Sequence, residues 1–107
     1  MKSMIRSLLV LAMGACLAGA MGFAASSGEA VYQNHCQMCH GAKGIPSPGM
    51  AKMMGIPAAT APAVKRLTPA EMFASVKNGK GKMMAYKNSL TDVQIRAAVE
   101  YFRTFTR

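Results

Sequence analysis

Acidic side chains are scarce in this chain: four Asp and Glu stand against thirteen Lys and Arg in 107 residues, a formal charge of +9. So basic a chain calls for an acidic partner: nucleic acid, an acidic protein or an anionic membrane surface. Nucleic acid is set aside, because there is neither a basic recognition helix nor a basic stretch interleaved with aromatics. Histidine and cysteine are also few, two and three respectively. A four-ligand zinc site would need more of them than the one cluster they form. No segment reads as a strand, which removes the βαβ setting of a thioredoxin-like cysteine pair. The length allows one domain, and a folded part of roughly 80 residues is at the size where an apolar core alone is marginal and a disulfide, metal or cofactor usually helps.

The apolar run is confined to the N-terminus. Lys2 and Arg6 precede Leu8-Leu9-Val10-Leu11-Ala12-Met13, and small residues continue to Ala25. This is the layout of a secretory signal peptide, expected over residues 1–25, with cleavage-like spacing at Ala18-x-Ala20 or Gly22-x-Ala24. The mature domain is then 26–107, exported to the periplasm, with no stable membrane insertion. Loss of residues 1–24 leaves eleven cationic against four acidic side chains, a formal +7. Cys16 falls inside the leader, so the mature chain keeps Cys36 and Cys39. Met13-Gly14-Ala15-Cys16 is a loose lipobox, and the alternative it offers is an acylated Cys16 tethered to a membrane.

Cys36-Gln37-Met38-Cys39-His40 has the spacing of covalent haem attachment. Two cysteines three apart on a helical turn reach one porphyrin edge, and the following imidazole approaches the iron from one face. His40 is thus the candidate proximal ligand. A disulfide between Cys36 and Cys39 would close almost no loop and stabilise little. His35 reads as a helix-surface residue, and Met38 should point away from the iron.

Helical signals frame this motif. Ser26 or Ser27 caps a first helix, with Glu29 in its first turn and with Gly28, Tyr32 and Cys36 on one face. Residues 41–67 are rich in Gly, Pro, Ala and Met, and Gly44 to Gly49 read as irregular turn structure that wraps the cofactor. A carbonyl within Ile45–Pro48 is expected to hold the second nitrogen of the proximal imidazole. Thr68-Pro69-Ala70-Glu71 is a capping box opening a helix that Gly79 ends, with Phe73 inward. Thr91 and Gln94 form a second box. After it, Ile95, Ala98, Val99 and Phe102 make an apolar stripe opposite Arg96, Glu100, Arg103 and Arg107.

With these features the mature chain resembles the class I c-type cytochromes of the short bacterial monohaem type. The resemblance rests on the haem motif, on Gly28 and Tyr32 facing Ala98 and Tyr101, on Gly81-Lys82-Met83-Met84-Ala85-Tyr86, and on Leu90-Thr91-Asp92. It implies an all-α cytochrome c fold, three to four helices wrapped around one covalently attached haem c. It puts Met83 in the slot of the distal iron ligand, with Met84 as the alternative. Met84 also stands where the family usually has proline, and without that residue's restraint the loop should be looser. Met50, Met53, Met54 and Met72 lack this loop setting and read as gap-filling core.

The function implied is one-electron transfer rather than enzymatic catalysis. His and Met ligation leaves no open iron position and favours the ferrous state. Lys43, Lys52, Lys77, Lys80, Lys82 and Lys87 bracket the haem-binding segments, so redox partner proteins with acidic docking surfaces are expected. The alternatives are a five-coordinate haem that binds or reduces a small ligand such as peroxide or nitric oxide, and a haem subunit of a larger oxidoreductase.

Overall fold

The structure, a computed structural model, describes residues 27–107. The expected leader, Cys16 and the Ser26 cap lie outside the described residues. Six helical segments follow in chain order: α1 (Gly28–His35), α2 (Gln37–His40), α3 (Pro48–Met54), α4 (Pro62–Lys65), α5 (Pro69–Asn78) and α6 (Asp92–Arg103). The fold is all-α, as expected, with α1, α5 and α6 as its main helices and three shorter segments between α1 and α5.

Each main helix begins at a cap. Ser27 Oγ accepts from the Ala30 N–H at 3.1 Å. Both capping boxes close in both directions, Thr68 with Glu71 and Thr91 with Gln94. Such caps satisfy N–H groups that would otherwise have no partner, contributing about 1 kcal/mol each. Gly79 ends α5 as anticipated.

The core lies where α6 crosses α1 and packs beside α5. Val31, Met72, Leu90, Ile95, Ala98 and Val99 are buried together, with Ile95 fully enclosed. Gly28 makes the crossing possible, because a Cβ there would overlap the Ala97 carbonyl oxygen and lie 3.1 Å from Tyr101 Cβ. The atoms nearest that position belong to the Ala97 carbonyl and to Tyr101, and Ala98 beside them is buried in the core. Beside this crossing, Tyr32 meets Tyr101 at 5.4 Å and Phe105 at 5.7 Å between ring centroids.

One expectation is corrected and one is sharpened. The segment after the haem motif is not wholly irregular: Ser47 caps α3, its Oγ accepting from Met50 N–H at 3.3 Å, and Pro48 occupies the first turn. On α5 Phe73 faces inward as expected, and Met72 beside it is buried more deeply. Phe73 is half-buried against the core and carries Arg96 over its face at 5.0 Å and Lys77 at 5.6 Å. A guanidinium over an aromatic face favours this partly exposed setting for the ring.

Candidate haem site

The chain bends at Cys36, which ends α1 and precedes the single turn α2, so the motif turns away from the helix that leads into it. Cys36, Cys39 and His40 thereby line one cavity of about 430 Å³, a size suited to a cofactor. Met83 and Met84 line the same cavity from more than forty positions further along. Most of the remaining wall is apolar, including Ile56, Pro57, Val64, Leu67, Val99 and Phe102.

The thiols of Cys36 and Cys39 are half-buried and not joined to each other. Burial, with a smaller contribution from Cys39, pushes the Cys36 thiol up to about 11, so it is held neutral at pH 7. Burial also lowers the His40 pKa, which favours the neutral imidazole that a metal needs. The His40 ring stands edge-on to Phe102, 5.7 Å between centroids. Beneath it, the Tyr32 hydroxyl donates to the Gly41 carbonyl at 2.6 Å. Burial first, then the charge on Cys36, raises Tyr32 to about 12, so this donor stays protonated.

The expected hydrogen bond from His40 to a carbonyl within Ile45–Pro48 is not present among the described residues. The backbone turns back after the motif, Gly44 N–H donating to Gly41 carbonyl at 3.3 Å, and this directs the Ile45 carbonyl against Gly41 instead.

On the methionine side, Lys80 and Met83 exchange both backbone hydrogen bonds, at 3.1 and 2.9 Å, closing a tight turn. Gly81 occupies its corner at φ 60°, a left-handed conformation that a side chain would strain. Met83 is half-buried, whereas Met84 is 68% exposed. The turn is tied to the end of α5 through Tyr86 N–H to Val76 carbonyl at 2.9 Å and Lys87 N–H to Lys77 carbonyl at 3.1 Å. Two backbone hydrogen bonds thus join the segment after the turn to α5.

Other features depart from the sequence reading. Met54 and Met72, set aside as core, also line the cavity. Met72 and Val76 lie four apart on one face of α5, a spacing that could have flagged both. His35 is exposed as expected, yet it reaches the cavity wall and meets the Tyr86 ring edge-on at 6.4 Å. Met38 is 85% exposed and points away from the cavity, as anticipated. Of the six bracketing lysines, Lys80 and Lys82 stand at the cavity, while Lys77 is paired with Asp92 at 3.2 Å.

Two thiols, a neutral imidazole and soft thioethers around one apolar cavity are the donor set that haem c requires. The family model for cytochrome c oxidase, cbb3-type, subunit III matches residues 23–102. The solved structure of the KustC0563 c-type cytochrome is similar over 76% of this chain and 99% of its own length, at 24% identity with a TM-score of 0.68. A point mutant of Kustc0563 is similar over 74% of this chain and 98% of its own, at 23% identity and 0.66. At that identity the likeness speaks for the fold alone. A search of curated proteins finds no significant match. The matched span takes in nearly all of the described domain, and the chain belongs to the family of cytochrome c oxidase, cbb3-type, subunit III: it is a class I monohaem c-type cytochrome, a haem-binding electron carrier with covalently bound haem c.

Proposed function

We propose that the protein is a one-electron carrier of the periplasm, with haem c joined to Cys36 and Cys39 and its iron held between His40 and Met83. The observation that carries the reading is the gathering of these four side chains, from two distant parts of the chain, around one apolar cavity. Haem, when bound, supplies an iron that alternates between ferric and ferrous.

The surrounding residues set the terms of that exchange. His40 offers a neutral nitrogen, and its ring packs against Phe102 at a steep angle. Met83 offers a soft sulfur that favours the ferrous state. The apolar wall excludes water, which also disfavours the extra positive charge of the ferric state. Lys80 and Lys82, beside the cavity, draw acidic redox partners to the place where an electron leaves. Residues 1–25 act as the export signal.

The test is a spectrum of the holoprotein made in a host with haem-attachment machinery. The expected result is a low-spin ferric haem with the methionine-to-iron charge-transfer band, lost in Met83→Ala and kept in Met84→Ala. A high-spin spectrum that shifts on adding cyanide or nitric oxide would overturn the reading in favour of an open iron position.

The family description favours a second reading, a haem domain that relays electrons as a subunit of a larger oxidase. Among the described residues no helix is long and apolar enough to cross a membrane, so the described domain would be held there by protein contacts. Co-migration of the haem signal with an oxidase in native membranes supports this reading, and a haem signal only at the monomer's size excludes it.

A further inference from the structure

Met84 leaves the ligand-bearing turn without proline, yet two ties from distant parts of the chain bracket it. Lys82 Nζ donates to the Met53 carbonyl at 2.9 Å, across 29 positions. The Tyr86 hydroxyl donates to the His35 carbonyl at 3.0 Å, across 51 positions. Both acceptors lie in the last turns of helices, α3 and α1, where carbonyls have no partner within their own helix. Each tie therefore satisfies a helix end while holding the turn, one just before Met83 and one two residues after Met84.

We infer that Lys82 and Tyr86 are positioning residues for the distal methionine, a two-point clasp that supplies the restraint Met84 does not. The inference rests on the proposed ligation by Met83. For Met83 to leave the iron the turn must swing outward, which stretches both ties. The geometry also allows the missing proline to be restored. Met83 sits in an isolated bridge with Lys80, and a proline after it would restrict its backbone to the extended region. Met84 N–H has no acceptor among the described residues, so a proline there removes no hydrogen bond.

Imidazole added to the ferric holoprotein can bind only while Met83 is off the iron, so its association rate reports the open population. With each tie contributing as an ordinary exposed hydrogen bond, Lys82→Ala and Tyr86→Phe should each raise that rate about two- to tenfold. Lys82→Arg keeps a donor, and Lys65→Ala removes an exposed positive charge elsewhere; both should stay within about twofold of wild type. Met84→Pro added to Lys82→Ala should bring the rate back toward wild type.

If Lys82→Ala and Tyr86→Phe bind imidazole no faster than Lys65→Ala, the clasp is overturned. Failure of Met84→Pro to slow Lys82→Ala overturns the claim that the clasp replaces proline. The ligation is read separately, from the charge-transfer band in wild type and its loss in Met83→Ala. A band that survives in Met83→Ala overturns the ligation and the clasp with it.

Discussion

The two regions that carry the candidate iron ligands are held by different forces. The histidine side is set by burial: α1 and α6 cross without space for a side chain at Gly28, and Tyr32, at 1% exposure, lies among Tyr101, Phe102 and Phe105. The methionine side is a four-residue turn at the cavity, held by hydrogen bonds from largely exposed residues. Packing restrains cooperatively, because displacing one side chain disturbs its neighbours. Separate hydrogen bonds at a surface can break one at a time. The histidine side should therefore answer to substitutions with global stability, and the methionine side with local opening.

The largest effect is expected from Ile95→Ala. Ile95 is fully enclosed in the core that α6 presents to α1, so truncation leaves a cavity and should cost about 2–5 kcal/mol in denaturant unfolding. A loss below about 1 kcal/mol would mean that the crossing collapses freely around the gap, and would break the contrast with the turn.

Next come two matched hydroxyl deletions, one on each side. Tyr32→Phe leaves the Gly41 carbonyl without its 2.6 Å donor in a part-buried place, and should cost about 1–3 kcal/mol of stability. Tyr86→Phe removes a 3.0 Å bond to a carbonyl that water can reach, and should cost about 0.5–1 kcal/mol while speeding ligand exchange at the iron. Equal stability losses from the two would show that burial does not separate the sides.

Much of the frame was legible in local spacing. Thr68 with Glu71 and Thr91 with Gln94 mark helix starts because the cap is a contact three residues long, and Gly79 marks a stop for the same reason. Cys36, Cys39 and His40 could be picked out because their chemistry fixes their spacing. Short elements were harder. Ser47 and Pro48 carried a valid start signal for α3, but Gly and Pro on both sides read as turn, and the four residues of α4 are too few to show periodicity. At Met72 and Phe73 two adjacent apolar residues share the core side, and periodicity alone does not say that Met72 lies deeper than Phe73. The ties from Lys82 to Met53 and from Tyr86 to His35 have no local spacing at all. They follow from the path of the chain and become visible only in three dimensions.

The smallest expected effect tests how each side is anchored at a distance. The methionine turn is carried on the end of α5, whose start is held by Glu71 accepting from Thr68 N–H at 2.9 Å. That hydrogen bond, aided by the Thr68 side chain, lowers the Glu71 pKa below the ordinary value for a glutamate. The charged form is thus the one the fold favours. Its contribution is complete above the unfolded-state pKa of about 4.3 and is lost as the pH falls through the lower folded value. The cap of α1 is the Ser27 hydroxyl, which does not titrate in this range. Acid should therefore loosen the methionine side before the histidine side. Glu71→Gln keeps an acceptor but no charge, so comparing the two proteins cancels the other carboxylates. Urea midpoints should favour the wild type at pH 7, with a gap that narrows from about pH 4.3 downward and closes below the folded pKa. A gap that stays constant from pH 7 to about pH 3 would mean that the Glu71 charge contributes nothing to the start of α5, and that the two sides are anchored alike against acid.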